Sequence, residues 1–485
     1  MSETMNMMFE VQDLAAASPA TVSRCGMVHV EPSMIGWLPL KTSWVETLPG
    51  SLHGNGPAMS MIESMFTWMI DPCMRFIRRE CKETIPTSDI NLPQSLMNVY
   101  ESLLDDFKLV DMAAAAAMPT MVGNGGARGS HGGRAEGDQL HQETSTTQRN
   151  SSPPVIGTGK PQKQATSNGQ QSFSIPTGKE LDAYIQCMFA FALVWTIGGT
   201  IDLEGRLLFD QFFRSLLAHE ENLGFNLGPG IDLQVPNWKF TLPFPEDGSV
   251  YDYFFDKEAI DWRPWFRILN NASPNTEAAF HEILVPTTDT ARYSFLLDVM
   301  ITHGKHILFG GSTGTGKTLY IKNKLSAGLD RSLYTNVCST FSAQTDANQI
   351  QDIIDSKMDK RKKGVYGPPF GTCCVIFIDD VNMPAPDAYG SQPPVELLRQ
   401  WMDHGGWYDR EENAFRHLVD IQFVAAMAPP GGGRNSITAR YLHHFHLISI
   451  SDFDDKNLSA IFETVMDWWC QRSRLIHEVR SMFQA

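Results

Sequence analysis

The chain has 485 residues, of which 42% are hydrophobic, so it is long enough for about three domains with their own cores. Lys and Arg number 39 against 55 Asp and Glu, and the net charge of -16 argues against nucleic acid as the main partner, since phosphate neutralisation needs a basic surface. The eight cysteines form no CxxC pair and the N-terminus has no signal-peptide pattern, which favours a reduced intracellular protein without a disulfide framework or a zinc site.

Two segments near the N-terminus, residues 59–80 and 96–109, have the apolar spacing of helices. Residues 113–172 are rich in Ala, Gly, Ser, Gln and Pro, and we predict that this insert is disordered because it cannot bury a core. The GTGK sequence at 157–160 resembles part of a phosphate loop. We reject it, because the leading glycine and the following Ser or Thr are missing and Pro161 blocks the helix.

Residues 181–217 predict two further helices, and one stretch of them could be mistaken for a membrane span. Ile185–Ile201 is nearly uncharged, but it contains Gln186 and Thr196 and falls short of the roughly 20 apolar residues that a span needs. We interpret it as a buried helix and expect no membrane association. Residues 237–268 are rich in Pro, Trp and Phe, which predicts an extended or small-sheet segment.

From about Glu282 the pattern changes, because short β-rich runs alternate with helices. The runs are residues 306–310, 332–339, 373–380, 421–428 and 445–450. This alternation predicts an α/β fold with a parallel sheet flanked by helices.

A phosphate-binding motif lies at the first of these strands. GSTGTGKT matches GxxxxGK[ST], follows the strand and opens a helix, as the motif requires. Its residues are Gly311, Ser312, Thr313, Gly314, Thr315, Gly316, Lys317 and Thr318. Backbone N–H groups and the helix N-terminus favour phosphate there. Lys317 is expected to reach the β- and γ-phosphates, and the Thr318 hydroxyl to bind magnesium.

An acidic pair ends the strand CCVIFID. Asp379 is the natural carboxylate for magnesium, and Asp380 occupies the place of the general base, which in many such ATPases is the longer glutamate. The strand 421–427 should lie between the other two, and at its end Ala428 offers no polar group to orient water. We therefore expect a site that binds ATP or ADP with Mg²⁺ and hydrolyses slowly, if at all.

Arg440 stands just before the last strand, where it could reach the nucleotide of a neighbouring subunit. The alternative is an ordinary surface salt bridge. His443, His444 and His446 form a local cluster, for which we expect no further ligand. We interpret these histidines as surface or packing residues and not as a metal site.

The long motifs GSTGTGKT, FIDDVNMPAPDAYGSQPPVELLRQWMDHGGWYD and AAMAPPGGGRN together resemble the third AAA+ module of dynein heavy chains, most closely the axonemal branch. The opening FEVQDLAAASPATVSRCGMVHVEP resembles the end of the second module's large subdomain, and FAFALVWTIGG resembles that module's helical part. The resemblance covers all of the chain except the insert. It implies a P-loop AAA+ sheet with flanking helices, preceded by a mainly α-helical lid-like region with a disordered insert.

The resemblance also implies domain boundaries and further site residues. The second module would contribute the end of its large subdomain at 1–36 and its helical part at 37–112 and 173–235, interrupted by the insert at 113–172. An extension would follow at 236–281. The third module would then contribute its large subdomain at 282–452 and the start of its lid at 453–485. Arg24 would serve the first module's nucleotide, and Arg440 that of the second. Adenine would lie near Val285 and Pro286.

The function implied is that of a segment of a minus-end-directed microtubule motor in the cytoskeleton of the ciliary or flagellar axoneme. The third site would be regulatory and would gate coupling between the main ATPase and microtubule release. The implied partners are neighbouring AAA+ modules of the same heavy chain and, through regions outside this sequence, microtubules and the dynein intermediate and light chains.

On the same resemblance, we expect either a fragment of a longer heavy chain or a truncated gene model, since the main ATPase, stalk and tail are missing. Two alternatives remain open: a stand-alone P-loop enzyme, such as a kinase or nucleotidase, and a structural module that binds no nucleotide. Helicase action is disfavoured by the acidic balance and by the lack of a basic track.

Overall fold

The N-terminal part of the protein is helical. A computed structural model describes residues 7–11, 14, 17–117, 176–220, 223–229, 233–269, 283 and 285–473. The helices of this part are α1 (Pro19–Val22), α2 (Pro32–Ile35), α3 (Leu38–Glu46), α4 (Gly50–His53), α5 (Gly56–Glu80), α6 (Asn91–Leu103), α7 (Asp105–Ala117), α8 (Lys179–Thr196) and α9 (Leu203–Leu217). These bounds confirm the helix expected at 59–80 and the two expected within 181–217.

Two expectations for this part need correction. The helix expected over 96–109 is two helices, because the chain leaves helical geometry at Leu104 and a new helix begins at Asp105. Helix α7 then continues to Ala117, past the expected start of the disordered insert, since alanine has the highest helix propensity. The rest of the insert, including the rejected GTGK sequence, lies outside the described residues.

Helix α8 is enclosed by the rest of the helical part. Nearly every side chain from Leu181 to Thr196 is buried, and Trp195 and Phe189 are fully enclosed. This burial confirms the interpretation of the apolar stretch as a core helix. Among the described helices, none has both the length and the apolar character needed to cross a bilayer.

The segment after α9 forms a small antiparallel hairpin, which agrees with the small-sheet alternative predicted for residues 237–268. Its strands are β1 (Tyr253–Asp256) and β2 (Asp261–Pro264). Trp262 stacks on Phe244 with ring centroids 4.0 Å apart, and Trp265 is buried against Phe191 and Trp195 of α8. The aromatic residues thus pack the hairpin onto the helical part.

The C-terminal part is an α/β unit, which confirms the predicted fold class. Its elements are α10 (Thr288–Thr302), β3 (Ile307–Gly310), α11 (Lys317–Ala327), β4 (Tyr334–Thr340), α12 (Ala347–Asp355), β5 (Asp359–Lys362), β6 (Val365–Gly367), β7 (Cys373–Asp379), α13 (Pro393–His404), β8 (Gly406–Tyr408), β9 (Phe415–Leu418), β10 (Ile421–Met427), α14 (Ala439–Leu442), β11 (His446–Ser449) and α15 (Asp455–Arg472). Five strands form a parallel sheet in the order β11-β3-β10-β7-β4, so β10 lies between β3 and β7 as expected. A smaller sheet has the order β5-β6-β9-β8.

The helical part and the parallel sheet share one hydrophobic core. Ile307, Phe309 and Phe377 point from the sheet into the cluster that contains α5, α8 and α9, whereas Leu308 and Ile376 point into a second cluster on the opposite face. This alternation follows from the period of two residues in a strand. The helical part therefore covers one face of the sheet and cannot be separated without exposing that core.

The edge strand β11 is also covered by the helical part. The backbone N–H of Ser449 donates to the carbonyl of Gly199 at 2.7 Å, and its hydroxyl shares a hydrogen bond with Thr84. The amide of Asn91 donates to the carbonyls of Leu442 and Phe445. These contacts occupy polar groups that an open sheet edge would leave unpaired.

Arg206 of α9 is the charged residue at the centre of this contact. It is 4% exposed, donates to the Ser449 carbonyl and to the Tyr293 hydroxyl, and its guanidinium lies 5.7 Å from the Trp195 ring and 5.1 Å from the Tyr251 ring. Both hydrogen-bond acceptors are buried, so they depend on this donor.

We predict that Arg206→Met lowers the free energy of unfolding by about 2–4 kcal/mol, because it leaves buried polar groups without their donor while preserving most of the apolar stem. Urea denaturation of the full chain measures the change. The control is Arg331→Met, an exposed arginine with a local contact to Ser326, for which we expect a change within about 0.5 kcal/mol. Equal effects of the two substitutions would contradict this role of Arg206.

Two histidines lie at the start of the sheet, where His446 is buried and His306 is half-buried. Burial lowers the pKa of His446 to about 3, and burial together with the neighbouring His444 lowers the pKa of His306 to about 4. His306 accepts a hydrogen bond from the Phe423 N–H, but neither ring nitrogen of His446 has a partner among the described residues. His446 is therefore a packing residue, as the sequence interpretation allowed.

We predict from these two histidines that the folded protein loses stability in acid. Their folded pKa values lie below the unfolded value of about 6.5, so the unfolded chain binds more protons, and stability falls as the pH drops from 6.5 to about 4. Each histidine contributes a slope of about 1.4 kcal/mol per pH unit in this window. His446→Leu should remove one such slope, measured by urea denaturation at several pH values. The exposed control His29→Leu should leave the slope unchanged, and an unaltered slope in His446→Leu would show that His446 is not the titrating group.

Candidate nucleotide-binding site

The phosphate loop Gly311–Thr318 connects β3 to α11. Gly314 and Gly316 have φ values of +92° and +82°, in the left-handed region that favours glycine. A β-carbon on Gly311 would lie 2.5 Å from the carbonyl oxygen of Ile450. Glycine is therefore required at Gly314 and Gly316 by the backbone conformation, and at Gly311 by the close approach of the chain after β11.

Lys317 lies inside this loop and is 8% exposed. Its ammonium donates to the carbonyls of Gly311 at 2.8 Å and Ser312 at 2.6 Å. Burial lowers the pKa of Lys317, and the nearby carboxylates of Asp380 and Asp379 oppose that shift. A buried cation surrounded by oxygen atoms is well placed to bind a phosphate.

Thr318 and Asp379 form the second part of the site. The Thr318 hydroxyl donates to Oδ2 of Asp379 at 2.8 Å, although 61 positions separate the two residues in the chain. Asp379 is 8% exposed, and burial raises its pKa while this hydrogen bond opposes the increase. A hydroxyl and a carboxylate side by side are the hard oxygen ligands that Mg²⁺ prefers, so the pair fits this ion.

Asp380 is held differently from Asp379. Its φ of +52° is uncommon for a residue with a side chain, although Asp tolerates it better than most. Its side chain is 36% exposed, and its Oδ1 lies 3.7 Å from Nη2 of Arg434. The backbone conformation and the facing guanidinium together determine where this carboxylate points.

Arg434 is a site residue that the sequence analysis missed. Besides facing Asp380, it contributes to the lowered pKa of Lys317, so its charge acts on the phosphate loop. Its Nε is buried and has no hydrogen-bond partner among the described residues. The only signal in the sequence is the run GGGRN after β10, in which three glycines precede the arginine.

The loop that carries Arg434 is fastened to the loop after β7. The Asn382 amide donates to the Ala428 carbonyl at 2.8 Å, the Asn435 amide donates to the Pro384 carbonyl at 2.9 Å, and the Asn435 N–H donates to the Asn382 carbonyl at 3.0 Å. Ala428 is 4% exposed, so β10 ends in a buried methyl group at this position. Asn382 and Asn435 thus hold together the two loops that follow β7 and β10 beside the site.

The predicted adenine segment lies near the phosphate loop. Val285 is half-buried and Pro286 is exposed, and both precede Thr287, which caps helix α10. The Thr287 side chain contacts the phenol of Tyr320 on α11. A β-carbon on Gly316 would lie 3.1 Å from that tyrosine ring, so Tyr320 connects the two segments.

The two candidate trans-acting arginines are exposed. Arg24 follows α1, and Arg440 lies in α14 with its side chain 70% exposed and its Nη2 3.6 Å from Oε1 of Glu10. Within the described ranges, neither forms a hydrogen bond or ion pair with the phosphate loop. Exposed side chains such as these can reach a neighbouring module. The contact between Arg440 and Glu10 is a surface ion pair, which was the alternative considered for Arg440.

The histidine cluster needs one correction. Asp403, at the end of α13, lies beside His443 and His444, and the potential ligand atoms of the three residues all lie within 4.8 Å of one another. The sequence analysis expected no further ligand, because Asp403 is far away in the chain and the fold alone brings it there.

Two family models match this chain. The model described as "P-loop containing dynein motor region" matches residues 272–453, and that described as "Dynein heavy chain AAA lid domain" matches residues 62–122 and 162–267. Both matches agree with the resemblance seen in the motifs.

The relatives are axonemal proteins. Dynein axonemal heavy chain 3 of Homo sapiens is 39% identical over 96% of this chain, dynein axonemal heavy chain 1 of Mus musculus 38% over 97%, and dynein axonemal heavy chain 12 of Rattus norvegicus 36% over 96%. The chain spans 10% of the length of the human and mouse proteins and 13% of the rat protein. With the two matched regions covering most of its length, the chain belongs to the dynein heavy chain family and corresponds to AAA+ motor sequence of the axonemal heavy chains.

Proposed function

We propose that this chain is a nucleotide-binding ring segment of an axonemal dynein motor, and that its P-loop site binds ATP or ADP with Mg²⁺ and hydrolyses ATP slowly or not at all. The observation that carries the proposal is the convergence of Lys317, Thr318 and Asp379 at the carboxyl edge of one parallel sheet. These are the groups that phosphate and magnesium require.

Binding depends on parts that are all present. The backbone of Gly311–Thr318 and the N-terminus of α11 offer N–H groups to the phosphates, and Lys317 offers a cation. Thr318 and Asp379 would hold Mg²⁺, which neutralises phosphate charge when it is bound. Val285 and Pro286 would border the base.

Hydrolysis depends on parts that are altered. Asp380 is one methylene shorter than glutamate, and a general base must come within about 3 Å of the proton that it removes. Its carboxylate instead faces Arg434 at 3.7 Å. Since Ala428 supplies no polar group, the site has little to activate or orient water, and its nucleotide would act as a regulatory ligand.

The remaining roles depend on the rest of the motor. As the third module of the ring, the site would gate coupling between the main ATPase and microtubule release. Arg24 and Arg440, both exposed, would complete the nucleotide sites of the first and second modules. Microtubules, intermediate chains and light chains would be partners through other parts of the heavy chain, in the axoneme of a cilium or flagellum.

Nucleotide binding by the full 485-residue chain tests the core of the proposal. Lys317→Ala removes a charged hydrogen-bond donor, generally worth about 1.5–3 kcal/mol, so affinity for fluorescent ATP and ADP should fall by at least about tenfold. The matched control is Lys357→Ala, an exposed lysine remote from the loop, which should bind as the unaltered chain does. A folded chain that binds no nucleotide would instead support the structural-module alternative.

The explanation for slow hydrolysis has its own test. Asp380→Glu combined with Ala428→Asn, introduced into a ring-forming heavy chain that carries this segment, should raise ATP turnover at this site, because both the base and a water-orienting amide are restored. Steady-state phosphate release measures the change, with Asp379→Asn added to the same background as the inactive control. If ATP turnover does not increase, Asp380 and Ala428 are not the cause of slow hydrolysis.

A further inference from the structure

The cluster of Asp403, His443 and His444 lies away from the nucleotide. Asp403 is in the last turn of α13, and the two histidines follow α14, immediately before β11 begins at His446. The phosphate loop follows the C-terminal end of β3, whereas this cluster precedes the N-terminal end of β11. Because β3 and β11 are parallel, the cluster and the phosphate loop lie at opposite ends of the strands. It takes no part in the function proposed above.

The three side chains converge as metal ligands do. Oδ1 of Asp403 lies 3.0 Å from Nε2 of His444, and the rings of His443 and His444 have centroids 3.9 Å apart. One candidate ligand atom from each of the three residues lies within 4.8 Å of the other two. Ligands bound to one tetrahedral ion at about 2.0–2.2 Å are about 3.4 Å apart, so small side-chain rotations close the site.

The nitrogen of His444 is available as a ligand. Its Nε2 is buried and lies 3.0 Å from Oδ1 of Asp403, and it has no other partner among the described residues. Burial and the neighbouring ring of His443 lower the pKa of His444, and the attraction of Asp403 offsets this in part. A metal ion bound between these two atoms would be coordinated by the lone pairs of both the carboxylate and the imidazole.

The other oxygen of Asp403 is already occupied. Nη1 of Arg399, one turn earlier on α13, donates to Oδ2 of Asp403 at 2.5 Å. Such a contact orients a carboxylate ligand from outside the coordination sphere, and it leaves Oδ1 facing the two imidazoles.

We propose that Asp403, His443 and His444 form a binding site for a divalent transition-metal ion of the Zn²⁺ class, with solvent completing the coordination. Two imidazoles and one carboxylate are the ligand set of open zinc sites, and they are too nitrogen-rich for Ca²⁺ or Mg²⁺. The spacing of the cysteines predicted no zinc site, and the site proposed here contains no cysteine. A bound ion would tie α13 to α14, a helix of four residues that carries Arg440.

The test is calorimetric titration of the tag-free, metal-stripped full chain with Zn²⁺ alone. We expect one ion per chain, and an affinity at least tenfold weaker in Asp403→Asn and in His444→Gln. His29→Gln, which removes an exposed histidine elsewhere, should bind as the unaltered chain does. Circular dichroism of each metal-free variant establishes that it is folded, and His443→Gln replaces any variant that is not.

The visible spectrum of the chain with Co²⁺ distinguishes this site from adventitious binding. A site of imidazole and carboxylate gives ligand-field bands without the thiolate charge-transfer band that the exposed Cys25 or Cys338 would produce. Loss of those bands in Asp403→Asn supports the proposal. The absence of stoichiometric binding, a thiolate band, or equal affinity in all the variants would overturn it.

Discussion

The candidate nucleotide site depends on the parallel pairing of β10 with both β3 and β7. In this pairing Met427 lies opposite Gly310, and Ala425 lies opposite Ile378. Because the three strands point the same way, the phosphate loop after β3 and the acids after β7 emerge at one edge. A shift of one residue in either register would turn alternate side chains to the other face and move Asp379 away from Thr318.

The same edge gives a physical reason why the proposed site would bind nucleotide and yet hydrolyse it slowly. Groups that bind phosphate are supplied by the loop backbone, by the buried Lys317 and by the half-buried Thr318, which donates a hydrogen bond to the buried Asp379. Groups that would activate water lie one residue further along each strand, at Asp380 and Ala428. Small changes in side-chain length at those two positions alter chemistry without disturbing the sheet.

The helical part is more than an adjacent domain, because it completes the core on one face of the sheet and covers the edge strand β11. Ser449 of that strand receives contacts from Gly199, Thr84 and Arg206. The chain after β11 also passes close to the phosphate loop, at Ile450. A change in the packing of the helices would thus be felt near the nucleotide, which is a physical basis for the regulatory role proposed for this site.

The sequence by itself determined what local pattern can encode. Period and composition predicted the strands of the parallel sheet, the buried helix α8, an extended or small-sheet segment after α9 and the phosphate loop with its lysine, since each depends on residues that are neighbours in the chain. Only the tertiary structure decided that Arg434 faces Asp380, that Asn382 and Asn435 join two loops, and that Asp403 lies beside His443 and His444. These contacts join residues that are distant in the chain, and their geometry follows from strand order and helix packing, which no local pattern records.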